Sequence, residues 1–325
     1  MTSILQQVLG IAQQRHDASV RELIELLRIK SISTDPKYTP DVLRCAEWWK
    51  EHFERLGFTV RLISVPNTES GPDSGKVHHP IVYATYRRPS TSGKRRKRVH
   101  VYGHFDVQPA ELDGRWLSEP FEPKIEGYDI IARGAVDDKG QLEAYLNSLE
   151  ACNAAGIDYP GDLTFLIEGG EGCGSKGLKV LLAAPPPDLD LSGDLVMVSD
   201  TSMGGPCQPA LTYTLRGNLA MEVFLAGPAD EVHSGTFGGG LRNPLVAAAW
   251  IISQVQNPVT GRFTFPHMLD GLLPVTASQR QLMDEFPVDP TEFLHNAQAS
   301  ACWLQDGVPL DEAISHRPTF EVNGI

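Results

Sequence analysis

The chain has 325 residues, of which 41% are apolar, and it carries a formal net charge of -13. A chain of this size can bury a large core in one large domain or in two smaller ones, so we expect a globular protein. The negative charge argues against a nucleic-acid surface, which would need clustered lysine and arginine. No apolar run approaches the roughly 18 residues of a membrane span, and the start lacks the apolar region of a signal peptide, so a cytoplasmic location is predicted.

Two stretches near the N-terminus have apolar residues at helical spacing. They read "RELIELLRI" and "DVLRCAEWWKEHFERLGF". The second follows a Thr-Pro-Asp start and stops at Gly57, as a capped helix should. We therefore predict two helices before the first strand.

Short runs rich in β-branched and aromatic residues come next and predict strands. They are "TVRLISV", "PIVYATY", "VHVYGH", "DLTFLIEGG" and "DLVMVSD". Two helix-like stretches, "DKGQLEAYLNSLEACNAAG" and "GSKGLKVLLAA", separate the last three runs. This β-α-β-α-β order predicts an α/β fold with a mostly parallel sheet.

One basic run, "GKRRKR" at residues 93–98, interrupts the strand region. Such a run is also typical of nuclear-localisation signals and polyanion-binding patches. Its position between two strand-like runs favours a solvated hairpin loop.

The character of the sequence changes close to residue 208. The stretch "PALTYTLRGNLAMEVFLAGP" predicts long antiparallel strands. Helices are predicted for "NPLVAAAWIISQV", "TASQRQLMDEF" and "DPTEFLHNAQA". We therefore predict two domains, an α/β domain over residues 1–207 and an α+β domain over residues 208–325.

The five cysteines are odd in number, far apart and without C-x-x-C pairing. This spacing argues against a disulfide framework or a zinc knuckle, and most are predicted to be buried thiols.

Polar residues stand where several of the predicted strands end. His104 closes "VHVYGH", Glu171 follows "DLTFLIEGG", Asp200 closes "DLVMVSD", and Asp137 precedes a helix. In an open α/β sheet, ligands bind beyond the carboxyl ends of the strands, so these side chains can converge. One histidine with several carboxylates is a ligand set for zinc or another divalent transition metal.

Each of these residues also has an ordinary structural interpretation. A histidine or aspartate at a strand end is often a turn former or a helix cap, and Asp137 could cap the helix that follows it. His104 and Asp106 are two residues apart on an extended segment, which suits an imidazole oriented by a carboxylate. The glycines around Glu171 leave that acid exposed where the backbone passes close to something. The reversed Ser175-Lys176 order and the acid argue against a phosphate-binding loop in "GGEGCGSKG".

Seven stretches, spread over nearly the whole chain, resemble one known family. They are "ELLRIKSISTDP", "VHVYGHFDVQP", "ARGAVDDKGQLEAYL", "FLIEGGEGCGS", "VMVSDTSM", "LTYTLRGNLAMEVFLAGPADEVHSGTFGGGLRNP" and "RPTFEVNGI". The sequence resembles the carnosinase/aminoacylase/succinyl-diaminopimelate desuccinylase family of two-metal metallopeptidases, in its cytosolic dipeptidase branch. The resemblance implies a zinc-peptidase catalytic domain with an inserted α+β lid or dimerisation domain.

The resemblance also implies roles for individual residues. His104 and Asp200 would hold one zinc, Asp137 would bridge two, and Asp106 would orient His104. Glu171 would be the general base that activates a water. The Asp137-Asp138 peptide is often cis in such proteins. The implied substrate carries a free carboxylate, as a dipeptide or an N-acyl amino acid does.

His233, in "EVHSGTFGG", lies in the implied lid domain. In the family this histidine crosses to the partner's active site and stabilises the oxyanion, which implies a homodimer. A capped turn in "HSGTFGGG" is the alternative.

Two departures from the family pattern affect the expected metal content. Gly172 stands where the family has a second acid that binds the other metal, and a glycine has no side chain to coordinate with. A further zinc-binding histidine and the substrate-carboxylate grip are expected in a segment after the closing "NGI", which would leave the lid incomplete. We therefore expect at most one tightly held Zn2+, with Mn2+ or Co2+ as alternative ions.

Cys173 could substitute for the lost acid only if it points the same way, and on an extended segment neighbouring side chains point oppositely. The predicted function is a metal-dependent hydrolase of dipeptides or N-acyl amino acids. A catalytically silent relative that serves as a dimerising scaffold is the alternative.

Overall fold

The computed structural model describes residues 3–67, 76–88, 95–110, 116–159, 161–204, 209–305 and 307–324. The chain divides into two compact units, Met1–Pro209 and Ala210–Ile325. We call them unit 1 and unit 2. Within the described ranges, no helix has both the length and the apolar composition needed to cross a membrane.

Unit 1 contains four helices and seven strands among its described residues. The helices are α1 (Ile4–Leu27), α2 (Thr39–Arg55), α3 (Lys139–Ala154) and α4 (Lys176–Ala183). The strands are β1 (Thr59–Ile63), β2 (Ile81–Tyr86), β3 (Arg98–His104), β4 (Lys124–Glu126), β5 (Asp129–Ile131), β6 (Asp162–Glu168) and β7 (Leu195–Val198). The order β3-α3-β6-α4-β7 is the predicted alternation, although the short β4-β5 hairpin interrupts it before α3.

The central sheet of unit 1 is mixed and mostly parallel, as predicted. Its strand order is β1-β2-β6-β3-β7. The neighbours β6, β3 and β7 are parallel, while β2 runs antiparallel to both β1 and β6. The parallel strands therefore deliver their carboxyl ends to one edge of the sheet, where His104 pairs in register with Glu168.

Helix α2 covers one face of this sheet because its apolar residues recur at helical spacing. Val42, Trp49 and Phe53 on this helix are almost completely buried, and they belong to one cluster with Phe165 of β6 and Leu146 of α3. A second cluster, containing Leu178 and Leu181 of α4, lies with Ile81, Tyr83 and Leu166. Buried side chains of this kind each stabilise the fold by about 1.5–3 kcal/mol relative to exposure.

The basic run does not form the predicted hairpin. Residues 93 and 94 lie outside the described part of the chain, but the flanking strands β2 and β3 are separated in the sheet by β6. They therefore cannot be hairpin partners. Arg95 pairs with Asp194, and Arg96 pairs with Asp158 and Asp162, so these cations are neutralised by nearby acids.

Among its described residues, unit 2 contains the three helices that the sequence predicts and two short ones besides. They are α5 (Ser234–Phe237), α6 (Pro244–Val255), α7 (Ala277–Glu285), α8 (Pro290–Ala297) and α9 (Leu310–Ser315). Side chains of Asn243, Thr276 and Asp289 accept backbone N–H groups at the starts of α6, α7 and α8. These caps explain why the three helices begin where they do.

The predicted antiparallel strands at the start of unit 2 are wrong. Residues 209–229 form no strand, and all of them are exposed. A strand needs a partner for its N–H and C=O groups, and no described segment of unit 2 pairs with this stretch. Alternating apolar residues alone do not supply that partner.

Candidate metal centre

The predicted polar residues come together beyond the carboxyl ends of the parallel strands. His104 is the last residue of β3, Asp200 lies two residues after β7, and Asp137 lies two residues before α3. One ligand atom from each of the three lies within 4.8 Å of the other two, and no other described group of three or more such residues does so. The sequence brings them together because parallel strands end at the same edge of a sheet.

The His104 ring is held with its Nε2 atom facing the two acids. Nε2 lies 3.0 Å from Asp137 Oδ1 and 3.7 Å from Asp200 Oδ2. The residue is only 3% exposed, and Nε2 has no hydrogen-bond partner among the described residues. A buried ring nitrogen without a hydrogen bond, facing two carboxylates, is the arrangement expected of a metal ligand. The donor set therefore fits a divalent cation.

The opposite side of the His104 ring is controlled by Asp106. Nδ1 lies 3.0 Å from the Asp106 backbone oxygen and 3.4 Å from its carboxylate atom Oδ1. This contact fixes the ring orientation and favours Nδ1–H, leaving Nε2 available for a ligand.

The charges around His104 and Asp106 shift both of their pKa values. Burial lowers the pKa of His104, but the Asp106 carboxylate and then Asp138 and Asp137 outweigh this and raise it to about 9. Burial raises the pKa of Asp106, but the bonds from His104 and Ser33 hold it below its usual range. A cation can bind Nε2 only after His104 loses its second proton, so metal binding should release a proton.

Asp106 also binds the turn that carries Glu171. Its Oδ1 accepts the Glu171 N–H at 3.1 Å, and its Oδ2 accepts the Gly172 N–H at 2.9 Å. Asp106 is completely buried, so one carboxylate fixes both the His104 ring and the backbone of the proposed base. We did not predict this second contact from the sequence, because it depends on the fold of the turn.

Glu171 begins a short 3-10 helix, Glu171–Cys173, three residues after β6 ends. Burial raises its pKa; His104 opposes this, and the Asp106, Asp200 and Asp137 carboxylates add to it. A raised pKa makes a carboxylate a stronger base toward the proton of a water molecule. The prediction that residues 171–173 are extended is wrong, because glycine on both sides permits a tight turn. In that turn the Cys173 thiol contacts the Gly170 oxygen at 3.3 Å.

Polar side chains surround the position where Gly172 lacks a Cβ atom. A Cβ atom at this position would lie 2.7 Å from Gln108 Nε2, 3.1 Å from Asp106 Oδ2 and 3.2 Å from Ser33 Oγ. Gln108 Nε2 also donates to the Gly172 oxygen at 3.2 Å. These polar groups fill the space into which a side chain at residue 172 would begin to extend.

Asp138 is a site residue to which we assigned no role from the sequence. It is completely buried, and its Oδ2 accepts the His104 N–H at 3.3 Å. Burial raises its pKa to about 7. The peptide bond between Asp137 and Asp138 is cis, in agreement with the implied geometry. Two features of the sequence could have pointed to Asp138. One is the pair Asp137-Asp138 itself, and the other is Gly103, where a Cβ atom would lie 2.6 Å from Asp138 Oδ2.

His233 lies in unit 2 and is exposed. Its Nδ1 accepts the Gly235 N–H at 3.0 Å and so caps α5. This is the capped turn that we considered as the alternative. Its role at a partner's active site stays a prediction.

Comparisons with known proteins give a family match and several relatives. Residues 100–301 match Peptidase family M20/M25/M40. The chain is 30% identical over 329 residues to the Cys-Gly metallodipeptidase dug1 of Schizosaccharomyces pombe, covering 100% of this chain and 67% of that protein. It is 26% identical over 326 residues to the Beta-Ala-His dipeptidase of Homo sapiens, covering 99% of this chain and 63% of that protein.

The fold agrees with two solved structures. The di-peptidase Dug1p of Saccharomyces cerevisiae superposes with a TM-score of 0.77 at 24% identity, over 94% of this chain and 64% of that one. Human carnosine dipeptidase 1 superposes with a TM-score of 0.70 at 23% identity, over 93% of this chain and 63% of that one. The chain spans about two-thirds of the length of the curated relatives that it matches.

Proposed function

Because the chain belongs to Peptidase family M20/M25/M40, we propose that it is a metal-dependent hydrolase of dipeptides or N-acyl amino acids. One observation carries the proposal: His104 Nε2 and the carboxylates of Asp137 and Asp200 converge within 4.8 Å. The names of the relatives, Cys-Gly metallodipeptidase and Beta-Ala-His dipeptidase, support dipeptides as substrates.

The three converging residues would hold the cation. Zinc, or alternatively Mn2+ or Co2+, would polarise the scissile carbonyl and acidify the attacking water. The Asp106 carboxylate would keep the His104 ring oriented, as its 3.4 Å contact with Nδ1 supports.

Glu171 would carry out the proton transfers. Its raised pKa supports a carboxylate that takes a proton from the attacking water and later donates it to the leaving amine. The two Asp106 bonds to the backbone of Glu171 and Gly172 would hold the base in place during both steps.

We further propose that the centre holds one cation tightly. Gly172 offers no ligand, and the space beside it is taken by Gln108, Asp106 and Ser33. A homodimer through unit 2, with His233 reaching the partner's site, and a cytoplasmic location complete the proposal.

Hydrolysis of Cys-Gly and β-Ala-His by the purified chain, with added zinc or manganese, tests the function. We expect turnover that falls about 10²–10⁴-fold in Glu171→Gln, the usual contribution of a general base. Cys173→Ala, on the same turn, should keep wild-type turnover.

Because Gly172 replaces a metal-binding acid, a catalytically silent scaffold is the alternative function. Zinc binding without turnover of any dipeptide or N-acyl amino acid, with any of the three metals, would support the scaffold and remove the hydrolase. Equal turnover in wild type and Glu171→Gln would remove Glu171 as the base.

A further inference from the structure

A buried lysine follows two residues after Asp137 in the sequence. Lys139 is the first residue of α3, follows Asp138, and is 0% exposed. Its Nζ donates to the backbone oxygens of Leu26 at 3.2 Å and Ile29 at 2.8 Å. A buried amine that lacks hydrogen-bond partners is unfavourable, so these two bonds fix the position of the side chain.

The segment that Lys139 binds also holds the residues after His104. Ser31 Oγ donates to the Phe105 oxygen at 2.7 Å, and Val107 N donates to the Ser31 oxygen at 2.9 Å. Ile32 and Val107 form an isolated parallel bridge. The end of α1 and the residues that follow it therefore contact both segments that carry His104 and Asp137.

The loop that leads to Lys139 is packed with little free space. A Cβ atom on Gly134 would lie 3.0 Å from Val107 Cγ1 and 3.3 Å from Lys139 Cδ. A Cβ atom on Gly140 would lie only 2.0 Å from the Ala135 oxygen. Close packing of this kind means that a displaced Lys139 would displace its neighbours as well.

We propose that Lys139 and Ser31 are positioning residues of the metal centre. Lys139 ties the Asp137 segment, and Ser31 ties the His104 segment, to residues 26–31, so the two ligands stay at their 3.0 Å separation before a cation arrives. The inference rests on the proposed metal centre and concerns its affinity, independently of turnover. Ligands held in place before binding lose less freedom on binding, so the cation binds more tightly.

A purely structural role would give a different result. If Lys139 only stabilised the fold, its loss would lower the thermal midpoint and leave the zinc affinity of the folded protein unchanged. Zinc affinity is therefore the decisive readout, and it is measured by competition with a chromophoric chelator at a temperature where circular dichroism shows the variants to be folded.

Arg87 provides a matched control at the other end of the sheet. Its guanidinium donates to the backbone oxygens of Tyr86 at 3.1 Å and Leu163 at 2.6 Å, and to Thr164 Oγ1 at 2.7 Å. Leu163 pairs with Val99 at the start of β3, whereas His104 ends that strand. Like Lys139, Arg87 is a long basic side chain that donates to backbone carbonyls, but its bonds among the described residues are to Tyr86, Leu163 and Thr164 and not to the metal centre.

We expect Lys139→Met to bind zinc about 10–100-fold more weakly than wild type, the usual cost of losing a residue that supports a metal ligand. Arg87→Met should keep the wild-type dissociation constant. Ser31→Ala removes a single hydrogen bond and should weaken zinc binding about 2–10-fold. It therefore tests the same anchor if Lys139→Met does not fold.

The outcomes separate this inference from the metal centre itself. Wild type that binds no zinc would overturn the metal centre and the proposed function together. Wild type that binds zinc, while every folded variant of Lys139 and Ser31 binds it equally well, would overturn this inference and leave the metal centre standing. Weaker zinc binding by Arg87→Met, equal to that of Lys139→Met, would also overturn it.

Discussion

The two units differ in how firmly they hold their polar residues. Among the described residues, every buried hydrophobic side chain lies in unit 1 except Met283 and Leu310. His104 ends an interior strand of the unit 1 sheet, whereas His233 lies on an exposed turn, where its Nδ1 accepts the Gly235 N–H. A set of converging ligands therefore needs a packed core behind it. The convergence of His104, Asp137 and Asp200 follows from the sheet, while no buried hydrophobic cluster among the described residues of unit 2 lies behind His233.

A pair of leucine substitutions tests this contrast and should give the largest effect on stability. Leu146 on α3 is 0% exposed, and Leu273 in unit 2 is 81% exposed. Leu146→Ala should lower the free energy of unfolding by about 2–5 kcal/mol, because it removes buried methyl groups and leaves a cavity. Leu273→Ala should change it by less than about 0.5 kcal/mol. Urea denaturation measures both, and a similar loss in the two variants would contradict the contrast.

The core of unit 1 also contains an acid whose protonation should affect stability. Glu143 on α3 is 1% exposed, and neither carboxyl oxygen has a hydrogen-bond partner among the described residues. Burial, followed by the charges of Glu22 and Glu150, raises its pKa from 4.5 to about 9. The folded state therefore keeps a proton that the unfolded state loses, and the stabilisation is lost as the pH rises toward 9.

Glu143→Gln should remove this dependence of stability on pH, and we expect a smaller change in the free energy of unfolding than for Leu146→Ala. At pH 8 the variant should be more stable than wild type by at least about 1.4 kcal/mol, the equivalent of one pKa unit, and the difference should shrink toward pH 5. Glu292→Gln, on the exposed surface of α8 in unit 2, is the control and should follow the wild-type pH profile. Thermal midpoints between pH 5 and pH 9 check both variants. A wild-type midpoint that rises with pH over this range would contradict the buried neutral acid.

Much of unit 1 could be predicted because its signals are local. Apolar runs that end in His104 and just before Asp200 mark strand ends, and the alternation with α3 and α4 orders the sheet. The turn after β6 was predicted incorrectly, because glycine permits conformations that an extended pattern does not reveal. The contacts of Asp138 and Lys139 were also missed, because a polar residue at a helix start is usually a cap or exposed.

The errors elsewhere concern pairing between distant segments. Residues 209–229 have the composition of strands, yet a strand exists only where another segment completes its hydrogen bonds. The basic run was predicted as a hairpin because β2 and β3 are consecutive in sequence, and β6 was not expected to lie between them. In both cases the missing information is the identity of the neighbour, which no local pattern contains.

The position of bound zinc is the sharpest check on the proposed metal centre. Crystals grown with zinc should give one anomalous difference peak per chain at the zinc edge. It should lie about 2.0–2.2 Å from His104 Nε2 and from a carboxylate oxygen of both Asp137 and Asp200. A zinc-saturated crystal with no peak at this position, or with two peaks of equal height there, would contradict the account.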